Sequence, residues 1–580
     1  LGAVGVARRL VVDAWSSLSH KQAIGDGLTP VGSRAWAPPM WAGLENHRRL
    51  MAYHLLESYD RSMARRFREA MGYLEQRTIR EYGDAHMLNR SVLSSVLGAT
   101  QALVVPGATP ADGQENAQLA AAQDWYRQWW DDERGPLKQR RTERRAVKLG
   151  NGILTLGWDP AAGRVRLRDY DPGWYFPAWR PGDEEFPSRV HLAWEIPDPV
   201  TGVAESVRRI TFDLRDADDG VERTYPWRQG RTLQTCYLTD ATFPLKDFTG
   251  SDVDELDERT AVYREDADGP VKDRDLRIDF VPVVNVANTV DDGDGWGEPT
   301  VASVAQILDD LSETDTNLQK AASTSAAPVM FVSGAALSGG RIAYEPGMIF
   351  EAGDGSATLL DTSRSLDALL KAADSLLDRL AVNARVPASV LGRVSPAEVP
   401  SGIALALSFG PLAALVADMR LARAEKYRLI YRFARRIALV NQAPDVPASD
   451  APCDMVFGPY LPQDRQAAVA AVRELLGTAG EPPAISLETA ISMLVAAGLP
   501  VDDAKAEVAL IRRTNYLAAV QFSDATGDAE AVRELLRDGE LPALAGPPPE
   551  PPAQPTPIPP APPAATPPAP AGQPDQGAQQ

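Results

Sequence analysis

Chemistry requires a few side chains brought together, and this sequence offers few sets. Five histidines occur: His20, His47, His54, His86 and His191. His47 and His54 share a helical segment at i, i+7 with no H-E-x-x-H, so the two-histidine zinc site of a metalloprotease is missing. The two cysteines, Cys236 and Cys453, exclude a disulfide scaffold and a cysteine-rich metal site. Asp291-Asp292-Gly293-Asp294-Gly295 has the look of a calcium loop, but it lacks the spacing and the closing Glu, so it reads as a turn. No G-x-x-x-x-G-K-[ST] occurs, nor any Gly-Lys pair, so no P-loop cradles a nucleotide phosphate. No G-x-S-x-G elbow and no G-x-G-x-x-G after a strand occurs. The expectation is a protein with no catalytic centre, no metal and no cofactor.

Cations, by contrast, are concentrated. Residues 134–148 hold Arg134, Lys138, Arg140, Arg141, Arg144, Arg145 and Lys148 against the single acid Glu143. Residues 420–436 are basic again and include Arg432, Arg435 and Arg436. Phosphate contact is one reading of Arg140, Arg141, Arg144, Arg145, Arg432, Arg435 and Arg436. A solvated helix face, or an intersubunit partner for acidic loops such as SDVDELDE, is the other. The whole chain carries 59 basic against 79 acidic residues, a net −20, which excludes a protein that coats DNA through neutralised phosphates.

The elements that must position these residues are legible from periodicity. A chain of 580 residues, 44% hydrophobic and 24% charged, can bury a large core. Residues 1–40 are an irregular N-terminal segment. Leu44, Leu50, Tyr53, Leu55, Leu56 and Tyr59 then recur at helical spacing. A second helix begins near Asn89. A third carries Trp125, Tyr126, Trp129 and Trp130 and runs through Gly135-Pro136 into the basic helix. From Gly152 the period changes: ILTLGW, GRVRLRDYD, RVHLAWEI, RRITFDL, QTCYLTD and FVPVVNVAN read as strands separated by turns. Helix returns after Pro299, with Val301, Val304, Ile307, Leu308, Leu311 and Leu318, and again over Leu366 to Leu380. Between the two lie short strands, among them PVMFVSG. A third long helix is expected over 403–439, kinked at Gly410-Pro411. DMVFGPYLP reads as a strand, and Ser486 as the N-cap of a helix with Thr489 at its third position. Helix, strands and helix in that order predict an α+β fold rather than a doubly wound sheet. Residues 547–580 are Pro-rich and predict an extended tail. No run of 18 apolar residues occurs, so no membrane partner is expected, and Arg8, Arg9 and Asp13 argue against a signal peptide. Leu1 fits an alternative start codon or a processed end.

The stretch 296–440 resembles the portal proteins of tailed bacteriophages. Four features carry the resemblance, in order. They are the turn Gly295-Trp296-Gly297-Glu298-Pro299 opening a helix, a small insert with Tyr344-Glu345-Pro346-Gly347-Met348-Ile349, a return helix ending in Val386-Pro387-Ala388-Ser389-Val390-Leu391-Gly392, and Ser401-Gly402-Ile403-Ala404-Leu405 before a long helix.

The resemblance implies a ring subunit with a wing over 41–300, stem helices over 301–325 and 363–386, and a clip over 326–362. It also implies a tunnel loop over 387–402, a kinked helix and wing return over 403–462, a crown over 463–540 and a tail over 541–580. Arg393, Ser395, Glu398 and Ser401 would face DNA in the tunnel loop. Leu337-Ser338, Arg341, Tyr344 and Glu345 would dock terminase and a head–tail adaptor. The implied assembly is a homo-oligomer of about twelve copies at one capsid vertex. Its partners would be double-stranded DNA, terminase, adaptor, major capsid and scaffolding proteins. Its place would be the virion, with assembly in the host cytoplasm. About twelve such chains would carry about −240, and an acidic conduit does not hold the polyanion it passes. The alternative is another virion component, a minor capsid or adaptor protein.

Overall fold

The computed structural model describes residues 39–64, 80–108, 117–180, 186–197, 204–246, 248, 250–266, 269–289, 295–326, 330–333, 356–359, 363–392, 408–448, 450–460, 465–476, 484–496, 507–508, 510–514, 517 and 520. The chain forms two compact units, residues 1–462 and 463–580. The fold is α+β, and every strand pairing among the described residues is antiparallel.

Helices α1 (Leu44–Asp60) and α2 (Asp84–Leu97) come first, α2 starting ahead of the expected Asn89. Strand β1 (Gln101–Val104) follows, and then α3 (Ala117–Asp132) and α4 (Gly135–Leu149). The sequence reads α3 and α4 as one run. The structure breaks it at Arg134, whose φ of 53° is left-handed, and Pro136 opens the new helix in its first turn. A proline loses no helical hydrogen bond there. Gly135 is required because a Cβ would lie 2.1 Å from the Trp130 ring.

The β-rich section builds two main sheets, besides two short hairpin pairs at 223–232 and 265–270. Strands β2 (Asn151–Asp159), β3 (Arg164–Tyr170) and β8 (Val283–Ala287) pair in the order β8–β2–β3. Strands β4 (Tyr175–Ala178), β5 (Arg189–Pro197), β6 (Ala204–Asp216) and β7 (Gln234–Pro244) pair in sequence, with the short strands Val262–Tyr263 and Arg274–Asp275 added on β7. Alternation gives the larger sheet two buried faces. Val190, Leu192, Ile210, Phe212 and Cys236 face the main core, shared with β2, β3, β8 and the last long helix. Phe176, Ala193, Val207, Ala241 and Phe243 face a smaller core closed by Trp41, Leu50, Val253 and Leu256.

Helix α5 (Ala305–Ala326) leads to β9 (Met330–Ser333), which pairs with β10 (Ser356–Leu359) before α6 (Ser363–Asn383) returns beside α5. Helix α6 stops in a left-handed turn at Arg385, φ 55°. The Val386 amide donates to the Ala381 carbonyl at 3.0 Å and the Arg385 amide to Val382 at 3.1 Å. This is a Schellman closure, and Pro387 then prevents continuation. Helix α7 (Gly410–Val440) carries Pro411 in its first turn, where a proline loses no helical hydrogen bond. Ser408 just before it is helical too, and residues 403–407 of the expected kinked helix lie outside the described residues. Strand β11 (Asp454–Phe457) pairs with β1.

In the second unit α8 (Arg465–Leu475) packs with α9 (Leu487–Ala496). Ser486 caps α9 as its sequence predicts, its Oγ accepting from the Thr489 amide at 3.2 Å. The N-terminal 1–38 and the Pro-rich tail lie outside the described residues.

Gly150 ends α4 at φ 92°, and a Cβ there would lie 2.1 Å from the Gly297 carbonyl oxygen. Gly163, at φ 60°, has open space around it. Gly150→Ala is therefore expected to cost about 3 kcal/mol or more, and Gly163→Ala about 1 kcal/mol. Urea unfolding of the two variants checks the difference.

Candidate functional site: the two basic segments

The two basic segments meet in one buried ion pair. Glu143 is the single acid of α4, and Arg423 comes from α7; neither side chain is exposed. Arg423 Nε donates to Glu143 Oε2 at 2.6 Å. Its Nη1 donates to the backbone carbonyls of Asn288 at 2.7 Å and Met419 at 2.8 Å, and its Nη2 to Asn288 Oδ1 at 2.9 Å. The Tyr427 hydroxyl, held protonated by burial and by the adjacent carboxylate, donates to Glu143 Oε1 at 2.9 Å. Both carboxylate oxygens and all three guanidinium nitrogens are thereby engaged, as a buried charge demands.

That pair sets the base of α5. The Asn288 amide donates to the Gly150 carbonyl at 2.8 Å, and its Nδ2 donates to the Glu298 carbonyl at 2.8 Å. The Gly297 amide donates to Asn151 Oδ1 at 3.0 Å, and the Thr300 amide to the Val147 carbonyl at 3.1 Å. The turn 295–300 is thus clamped to the end of the basic helix. Trp296 in that turn lies under the Arg49 guanidinium at 4.5 Å.

The candidate arginines separate into different environments. Arg435 is 3% exposed and donates to the carbonyls of Pro447 and Ala448 and to Asp450, closing the turn after α7. Arg145 donates to Asp169 Oδ2 at 2.8 Å and to the Tyr170 carbonyl at 3.0 Å. Together with Glu133 and Lys138, which bond the backbone of Leu167, it covers the free edge of β3. These two arginines are committed within the chain. Arg436 rests on Trp227 at 5.2 Å and Phe280 at 5.9 Å. Arg432 lines a groove of about 930 Å³ between α7 and the larger sheet, walled by Trp179, Phe186, Phe280 and Phe433. Arg140, Arg141 and Arg144 alone of the seven point outward from α4. The tunnel-loop residues Arg393, Ser395, Glu398 and Ser401 lie outside the described residues. So do the clip residues Leu337-Ser338, Arg341, Tyr344 and Glu345.

Sequence reading missed what the acidic loop does. Val253 and Leu256 enter the smaller core and hold the turn 251–258 against the larger sheet. His191 Nε2 lies 2.8 Å from Asp254 Oδ1, and its Nδ1 lies 2.9 Å from the Thr211 hydroxyl. A carboxylate only accepts, so the neutral ring carries its proton on Nε2 and accepts from Thr211. Burial lowers the His191 pKa despite the carboxylate, and the hydrogen bond from His191 holds Asp254 down to about 2. Two apolar residues at i, i+3, Val253 and Leu256, set amid acids were the available signal.

Among the described residues no group of three His, Cys, Asp or Glu is placed to hold a metal, and no helix is long and apolar enough to cross a membrane. No protein-family model and no curated protein matches the sequence. Among solved structures, "Neck of empty GTA particle computed with C6 symmetry" matches over 72% of this chain and 90% of that chain, at 13% identity and a TM-score of 0.36.

Removing one partner of the buried pair, as in Glu143→Ala or Arg423→Met, is expected to cost about 3–5 kcal/mol, because the other charge stays buried alone. The double variant Glu143→Leu/Arg423→Met should recover part of that loss, read as a coupling in urea unfolding. His191 gives a second expectation. Its folded pKa lies below the ordinary value, so the unfolded chain takes up the proton first. Stability is then full above about pH 6.5 and falls on acidification, by at most about 1.4 kcal/mol per pH unit. In His191→Gln that part of the slope should vanish, measured by denaturant unfolding across the same range.

Proposed function

We propose that this chain is a portal-type subunit of a tailed-phage-like particle. In this reading about twelve copies close into a ring at one capsid vertex. Double-stranded DNA is packaged and ejected through the ring. Terminase and a head–tail adaptor dock on the clip, and capsid and scaffolding proteins surround the wing. The subunit carries out no turnover and needs no cofactor, the translocating ATPase being a separate protein.

The observation that carries the reading is the helix, strand pair and return helix of 305–383. Helices α5 and α6 pack on each other and are joined through the antiparallel pair β9–β10. Their order, their opening at the Gly295–Pro299 turn and their closure at Val386-Pro387 follow the pattern of the family. Leu370 and Val382 on α6 remain 49% and 75% exposed. A two-helix excursion that leaves such residues uncovered is suited to neighbours in a ring.

Electron microscopy of the purified full chain tests this. Closed rings with a central channel and about twelve subunits are expected. A chain that stays monomeric at high concentration and physiological salt overturns the reading. Assemblies without a channel would favour a minor capsid or adaptor protein.

A further inference from the structure

The outward face of α4 is an excess of positive charge on an acidic chain. Arg140, Arg141 and Arg144 stand at helical spacing on that face, with Leu137 beside them 47% exposed. Asp169 is the carboxylate at the margin of this face, 2.8 Å from Arg145 and 3.8 Å from Arg141. It is therefore shared before the other outer arginines are counted.

A matching excess of negative charge lies elsewhere in the same unit. The turn 251–258 is anchored from below by Val253, Leu256 and the His191–Asp254 contact, which leaves Glu255, Asp257 and Glu258 exposed. Glu258 is 64% exposed, and its contact with Arg209 is a long one, 3.9 Å. The ion pairs of this turn run to Arg189, His191 and Arg209 of the larger sheet, not to α4.

We propose that the arginine face of α4, Arg140, Arg141 and Arg144, docks on the acidic turn 251–258 of a second copy of the chain. The inference rests on the self-assembly in the reading above and names the surfaces that would meet. Two complementary patches at different places on one chain make a head-to-tail contact, which is the kind that closes into rings. DNA is the weaker partner on charge grounds. The net charge of −20 repels a polyanion at long range, and a handful of arginines neutralises few phosphates. An acidic turn on another copy meets neither obstacle.

The test is sedimentation of the full chain and its variants at low salt. R140E/R141E/R144E, and separately D257K/E258K, are expected to raise the concentration for half-assembly about tenfold or more, with helical and near-ultraviolet spectra unchanged. Mixing the two variants should restore assembly, because each then supplies the charge the other lost. The milder R144Q should give a smaller shift in the same direction, which covers misfolding of the triple variant. Assembly of R140E/R141E/R144E at the wild-type concentration overturns the inference, and so does a mixture that stays dissociated. Loss of binding to a short DNA duplex with assembly intact also overturns it and assigns the face to nucleic acid. A monomeric wild-type chain removes both the ring reading and this inference. A wild-type ring with indifferent variants removes this inference alone.

Discussion

A charge buried without water must find its partners inside the chain, and the pair Glu143–Arg423 imposes that demand on the first unit. Coulomb attraction in a low-dielectric interior is large, but the desolvation of both ions offsets most of it. The net stabilisation is therefore small, and the consequence is positional. Arg423 satisfies its donors only if α4, α7 and the strand end at Asn288 hold one arrangement. Asn288 passes the constraint on, because its own amide and side chain bind Gly150 and Glu298. One ion pair thus fixes the angle at which the basic helix, the long helix and the opening of α5 meet. A purely apolar junction would tolerate sliding that this network does not.

Much of the fold was legible in the sequence. The strands ILTLGW, GRVRLRDYD, RVHLAWEI and QTCYLTD all form, because alternation of Val, Ile and Leu with polar residues is a local signal. The elements read poorly are those fixed by distant partners. β1 forms because β11, more than three hundred residues on, pairs with it. Helix ends took their signal from elsewhere. α1, α6 and α7 each close in a left-handed turn, at Ser62, Arg385 and Gln442, none of them glycine, the usual mark of such a turn. Pro387 and the end of the apolar period still place the ends of α6 and α7 to within a few residues.

The candidate site was legible in composition and not in placement. Seven cations around one acid in 134–148 marked the segment correctly as unusual. The acid itself turned out to be the informative residue, since Glu143 points inward while Arg140, Arg141 and Arg144 point out. Helical periodicity would separate these faces if one knew which side was buried. The linear pattern holds no such reference, because Arg145 and Lys138 lie between the two faces and bond the edge of β3.

The excursion formed by α5 and α6 begins and ends in one place. Val301, Val304 and Leu308 at its entry share a core with Leu380, Ala384 and Val386 at its exit. A load applied at the far end reaches the body of the protein as two forces at neighbouring points, one pushing and one pulling. Such a couple is resisted by packed side chains moving past each other in shear, rather than by the peeling of a strand or the unwinding of a single helix. The same closure isolates the body from changes of length in between. Turns added to both helices together would lengthen the arm while leaving its hinge, and the core behind it, as they are.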